Sequence, residues 1–205
     1  MDKKLLKGVI NFKKDVKKNK KIFNELKDKQ APTTFFIGCS DSRVIPNLIT
    51  KTFVGEVFVL RNIANIIPPF NENESLLRCS ASILEYAVKY LEIKNIVVCG
   101  HSNCGGLKAL FYKNEELNEF SFVKKWLELV KDLKEEVKDI EDLKLRALKI
   151  EQLNVIKQVE NIMSYPFVKE RVKQKKLEVL GWYYVIESGN IYNYNFEKKE
   201  FELIN

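Results

Sequence analysis

Histidine is almost absent from this 205-residue chain: there is one, His101. Tryptophan and methionine occur twice each, cysteine four times, proline five and glycine eight. So little glycine and proline excludes collagen-like and low-complexity architectures, and 45% apolar with 31% charged residues is the composition of a folded globular chain rather than a disordered one. No stretch approaches the roughly 18 uninterrupted apolar residues of a membrane span, and the Lys-rich start has no apolar h-region behind it. The expectation is one soluble, cytoplasmic domain over residues 1–205, with no membrane partner. Cys39, Cys79, Cys99 and Cys104 then read as reduced thiols, not as a disulfide framework.

The net charge of +7 is unevenly placed. Residues 1–22 hold nine Lys and two Asp, which leaves 26 basic and 26 acidic residues in the remainder. Nucleic acid is not indicated, because the body is balanced and no recognition motif is present. Leu5, Val9, Phe12 and Val16 recur at helical spacing inside the basic tract. Residues 1–30 therefore read as an amphipathic helical arm that packs on its own fold or on a partner subunit, its lysines solvated, with anionic surface binding as the alternative.

Further along, Thr33 to Ile37, Val57 to Leu60 and Ile96 to Cys99 are short β-prone runs. Ser80 to Leu91 has a helical period, as do Phe122 to Ile140, with Phe122, Trp126, Val130, Leu133 and Val137 on one stripe, and Leu148 to about Met163. Pro166 falls just after the last of these. Leu177 to Ile186 and Ile191 to Phe196, separated by Ser188, Gly189 and Asn190, suggest a hairpin. Strands alternating with crossover helices predict an α/β fold: a mainly parallel central sheet flanked by helices, with antiparallel edge strands from the C-terminal hairpin. Ligands in such sheets bind beyond the carboxyl ends of the strands.

Two of those ends carry chemistry. Gly38-Cys39-Ser40-Asp41-Ser42-Arg43-Val44 follows one strand and Cys99-Gly100-His101-Ser102-Asn103-Cys104-Gly105-Gly106 follows another. Thiolate and imidazole are preferred zinc ligands, and the spacing of His101 and Cys104 lets one turn of backbone present both to one ion, with Cys39 as a third. The fourth position decides between functions. Cys99 there would give a closed structural site. Asp41 or water there would give a catalytic one, with Arg43 able to hold the Asp41 carboxylate off the metal. A third possibility is no metal at all, His101 and the cysteines being core residues.

Cys-Ser-Asp-Ser-Arg-Val at 39–44, Gly-Glu-Val-Phe-Val-Leu-Arg-Asn-Ile-Ala-Asn at 55–65, Leu84-Glu85-Tyr86-Ala87 and Gly-His-Ser-Asn-Cys-Gly-Gly at 100–106 resemble the β-class carbonic anhydrases. Pro166-Phe167-Val168 and Gly181-Trp182-Tyr183-Tyr184 extend the resemblance over nearly the whole chain. It implies reversible hydration of CO2 to bicarbonate and a proton by zinc-bound hydroxide, with one Zn2+ per subunit held by Cys39, His101 and Cys104. Asp41 and Arg43 would form a catalytic dyad, Asp41 being a fourth zinc ligand in an inactive state. A substrate pocket of Phe58, Ile63, Tyr86 and the Gly105 amide is implied too, with Gln30 reaching in across the interface of a homodimer or homotetramer. Members that close their site with bicarbonate carry Trp three residues before the first zinc Cys; here that position is Phe36, which counts against such closure even though Arg61 is present. Two thiolates neutralise the ion more than three imidazoles do, so activity is expected to rise above neutral pH. The competing readings are hydrolysis of carbonyl sulfide or carbon disulfide on the same scaffold, and a zinc protein without catalysis.

Overall fold

The computed structural model describes residues 2–71, 78–113 and 119–205. Contacts divide the chain after Ala31. The first unit holds α1 (Lys3–Lys18) and α2 (Lys20–Leu26). Asp2 caps α1 by accepting from the Lys4 N–H at 2.9 Å, and Lys17 and Lys18 complement the carbonyl end. The expected apolar stripe is present and exposed at Leu5, Val9 and Phe12. Phe12 meets Phe23 of α2 edge-on, with ring centroids 6.1 Å apart.

The second unit, Pro32–Asn205, is built on a six-stranded sheet in the order β2-β1-β3-β4-β5-β6. Its strands are β1 (Thr34–Cys39), β2 (Val57–Asn62), β3 (Asn95–His101), β4 (Glu178–Tyr184), β5 (Ile191–Asn195) and β6 (Glu200–Leu203). The first four are parallel and the last two antiparallel, as the alternation of strands and helices predicts. The helices are α3 (Pro46–Thr50), α4 (Arg78–Glu85), α5 (Gly105–Lys108), α6 (Ser121–Leu127), α7 (Leu143–Met163) and α8 (Pro166–Lys173).

The central strands β1 and β3 are buried on both faces, which is why they read as continuous apolar runs. On one face Phe35, Ile37, Ile96 and Val98 pack with Leu84 of α4, Val88 of the π-helical turn that follows it (Tyr86–Tyr90), Val155, Val159 and Ile162 of α7, and Val168 of α8. On the other, Phe36, Val97 and Cys99 pack with Leu107, Leu127, Val130, Leu133 and Val137.

Three elements differ from the sequence reading. The stripe from Phe122 to Ile140 is not one helix: α6 stops at Leu127, Val130 leaves helical geometry (φ −133°), and Glu128–Val137 is wound as 3₁₀ turns. Buried Val130, Leu133 and Val137 set that path, while Phe122 is 86% exposed. α7 begins at Leu143, five residues before the periodicity shows it, because Asp142 caps it by accepting from the Lys144 and Leu145 N–H groups. Pro166 does not merely follow a helix; it opens α8, where a missing N–H costs nothing.

α7 lies unusually close to the sheet. A Cβ on Gly100 of β3 would come within 2.5 Å of a Val155 methyl, and one on Gly181 of β4 within 3.0 Å of another. Gly100→Ala is therefore expected to cost about 1–3 kcal/mol through overpacking. Val155→Ala, damaging alone, should cost less in the Gly100→Ala background than in the wild type, a coupling read from denaturant unfolding of the four proteins.

Candidate metal centre and active site

Cys39 ends β1, and the register that pairs Gly38 with Cys99 sets it beside Gly100-His101 at the end of β3. His101 is held by the β4 strand, opposite Tyr184, and the Ser102 N–H donates to the Tyr184 carbonyl at 2.9 Å. Beyond Ser102 the chain turns through Asn103, a left-handed residue (φ +57°), and returns Cys104 to the same place at the start of α5. Sγ of Cys39, Sγ of Cys104 and a nitrogen of His101 all lie within 4.8 Å of one another, and all three residues are buried.

These three side chains fit a zinc ion. The two sulfurs are 4.0 Å apart, against about 3.8 Å for two thiolates on a tetrahedral zinc with bonds near 2.3 Å. The buried Nε2 of His101 has no hydrogen-bond partner among the described residues. Its Nδ1 lies 3.0 Å from the Ser102 carbonyl, the bond that fixes a zinc-ligating imidazole with its free lone pair on Nε2. The Cys104 thiol, donating to Cys39, together with His101 and the Asp41 N–H (3.4 Å), holds the Cys39 thiol down at about 4. Cys104 is shifted upward by the same bond and by burial. Burial pulls His101 down, but the Cys39 charge outweighs it and leaves the imidazole raised. Both sulfurs become thiolates when a soft divalent cation displaces their protons.

Cys99 does not join them. It is fully buried in the second core, where desolvation pushes its thiol up to about 12. Asp41 stands at the rim instead, with Oδ2 4.0 Å from His101 Nε2. Both of its oxygens are engaged by Arg43: Nε and the main-chain N–H donate to Oδ1 at 2.9 Å each, and a terminal nitrogen donates to Oδ2 at 2.7 Å. The Arg43 guanidinium holds the Asp41 carboxyl well below the usual carboxylate range. Arg43 also donates to the Asn103 carbonyl at 3.1 Å, tying the two ligand loops together.

Phe58 and Tyr86, both expected in the pocket, are in contact, with ring centroids 6.0 Å apart. Ile63 lies against Gly106, where a Cβ would approach its side chain to 2.8 Å. Gly105 is exposed at the start of α5. Gln30 is exposed in the first unit. Phe36 is fully buried and meets Trp182 edge-on at 6.5 Å. Arg61 is a clamp on the first ligand loop, donating to the carbonyls of Cys39 and Asp41.

The profile of the carbonic anhydrase family matches residues 34–191. The chain belongs to the β-carbonic anhydrase family. It is 39% identical to a carbonic anhydrase of Helicobacter pylori (strain J99), over 96% of this chain and 92% of that protein. A carbonic anhydrase of Synechococcus elongatus is 37% identical, over 92% of this chain and 70% of its own length. Among solved structures, the β-carbonic anhydrase CcaA superposes with a TM-score of 0.92 at 33% identity, covering 98% of this chain and 91% of that one. A tetrameric β-carbonic anhydrase of Sordaria macrospora gives 0.79 at 34% identity, covering 92% and 93%. The chain is accordingly a zinc enzyme, a carbonate dehydratase, whose Cys39, His101 and Cys104 are positioned for the ion.

Glu151, which no sequence motif marks, is buried on α7 with Oε1 accepting from the Cys104 N–H at 3.0 Å and Oε2 accepting from the Tyr183 hydroxyl at 2.8 Å. Burial pushes its carboxyl up against those two bonds. The signal was present: Glu151, Asn154, Gln158 and Asn161 form a polar stripe of helical period.

Metal analysis of purified variants checks the ligand set. Cys99→Ala should retain one zinc per chain, whereas Cys39→Ala and Cys104→Ala should each retain less than about a tenth.

Proposed function

We propose that Asp41 and Arg43 are the catalytic dyad for CO2 hydration at this centre, and that Phe58, Ile63, Tyr86 and the Gly105 amide bound the substrate. The observation that carries this reading is the Asp41 carboxylate, gripped by Arg43 through both oxygens and set 4.0 Å from His101 Nε2 at the edge of the donor cluster. Zinc bound by Cys39, His101 and Cys104 supplies Lewis acidity, which lowers the pKa of water and so provides the nucleophile.

Arg43 holds the Asp41 carboxyl well below the usual carboxylate range, so at neutral pH it accepts a hydrogen bond from that nucleophile. Arg43 fixes where the acceptor lies, and its second bond to Asn103 keeps the dyad in register with the Cys104 loop. CO2 is apolar and uncharged, so the Phe58 and Tyr86 rings and the Ile63 side chain suit it. The Gly105 N–H is a donor for the oxygens that become negative in bicarbonate. Gln30 is assigned the same task from a partner subunit.

Proton export has no histidine to use. His101 is the sole one in the sequence, it is buried, and its two nitrogens are committed to the donor cluster and to the Ser102 carbonyl. Water, carboxylates or external buffer must carry the proton.

The assembly is assigned as a homodimer or homotetramer. The exposed apolar stripe of α1 and the tetrameric relative from Sordaria macrospora support this. The cytoplasm is assigned as its compartment because the described thiols, Cys39, Cys79, Cys99 and Cys104, are all unpaired.

Stopped-flow CO2 hydration on protein of known zinc content tests the dyad. Asp41→Asn is expected to lower kcat/KM by about 100-fold at unchanged zinc content; wild-type turnover in that variant would refute the assignment. In the wild type, turnover should climb severalfold on titrating imidazole-type buffer at constant pH and ionic strength, and a buffer-independent rate would show an internal proton route.

A further inference from the structure

Helix α7 is the most polar buried surface in the second unit. Asn154 Nδ2 donates to the Ala64 carbonyl at 2.9 Å, Gln158 accepts from the Ile67 N–H at 2.8 Å, and Asn161 donates to the Ile67 carbonyl at 2.8 Å. One turn before Val155, on the same face, Glu151 reaches in the other direction to Cys104. The helix therefore grips both the segment that carries Ile63 and the loop that carries a metal ligand. It can do so because Gly100 and Gly181 leave room for it against the sheet.

Three features single out Glu151. It is 4% exposed, so its bonds are not shared with bulk water. Its two oxygens are divided between one main-chain donor and one side-chain donor, which fixes both its position and its rotation. The second donor, Tyr183, is itself placed by the sheet, opposite Gly100 in the β3–β4 register and buried. A carboxylate held in this way anchors the Cys104 N–H to a rigid strand and a rigid helix. A free Cys104 amide on a turn containing a left-handed Asn103 would leave the Sγ direction to the loop.

We propose that Glu151 is the positioning residue of the zinc centre: oriented by the Tyr183 hydroxyl, it fixes the Cys104 main-chain N–H and thereby aims Cys104 Sγ at Cys39 and His101. The assignment rests on Cys104 being a zinc ligand. Outer-shell partners of zinc ligands act by ordering the donors before the ion arrives, and losing one typically weakens metal binding by about 10-fold to 100-fold.

The test is zinc affinity of the folded full-length protein, measured by competition with a chromophoric chelator, and the intensity of the thiolate charge-transfer band after cobalt substitution. Glu151→Ala is expected to bind zinc about 10-fold to 100-fold more weakly, with a weakened charge-transfer band. Glu151→Gln keeps an oxygen for the Cys104 N–H and should stay within about fivefold of the wild type. Val168→Ala, a truncation in the α8 core away from the centre, should lower thermal stability and leave zinc affinity unchanged. If Glu151→Ala does not accumulate as folded protein, Tyr183→Phe carries the same test, with an expected loss of about 10-fold. Wild-type affinity in Glu151→Ala, or an equal loss in Val168→Ala, overturns the proposal. Cys104→Ser separates the two readings: if it keeps wild-type affinity, the ligand assignment itself falls, and if it loses zinc, the Glu151 variants decide the positioning role alone.

Discussion

The parallel pairing of β1 with β3 is the constraint on which the centre depends. Cys39 and His101 are 62 positions apart in the numbering, and no local turn brings them together; the register that sets Gly38 against Cys99 does. Both strands end at the same edge of the sheet, so their following loops open into one space, where α/β proteins bind ligands. One loop contributes Cys39 and Asp41, the other His101 and Cys104. Arg43 bridges from Asp41 to Asn103 and Arg61 secures the first loop from β2, so the two loops that carry the four side chains are tied to each other and to the sheet by charge-assisted bonds to carbonyls and a carboxylate.

Electrostatics and burial then divide the cysteines by function. Cys39 sits where the Cys104 thiol, an imidazole and a main-chain N–H favour its negative charge, while Cys39 and burial push Cys104 the other way; their sulfurs are 4.0 Å apart, and a soft divalent cation favours the thiolate form of both. Cys99, only two residues before His101, is buried among apolar side chains with its thiol on the Gly100 carbonyl, and burial pushes that thiol up to about 12. Asp41 owes its permanent charge to Arg43 first, with His101 and the Arg43 main chain adding to it. A carboxylate held well below its usual range, beside a metal site, is suited to orienting a nucleophile more than to exchanging protons with it.

Much of this was legible in the sequence, for physical reasons. Strands buried on both faces appear as apolar runs, and residues at their carboxyl ends are where chemistry is expected, so Cys39, His101 and Cys104 could be brought together on paper. The glycine that follows them, Gly106, is where Ile63 presses in. What was not legible depended on tertiary packing. The stripe from Phe122 to Val137 has helical spacing, yet Val130 turns away from helical geometry because the second core takes its side chain. β6 carries too little apolar pattern over Glu200–Leu203 to declare itself without β5 beside it. Glu151 was hidden because a charged residue in a helix is ordinarily solvated; only the closeness of α7 to Gly100 and Gly181 shows that this one is not.

Every role assigned above depends on zinc held by two thiolates and one imidazole, with the fourth position outside the cysteine set. X-ray absorption at the zinc edge of the wild-type protein measures this directly. Two sulfur scatterers at about 2.3 Å are expected, with the remainder nitrogen or oxygen at about 2.0–2.2 Å. Three sulfurs, which would bring Cys99 into the shell, or a shell without sulfur, would contradict it.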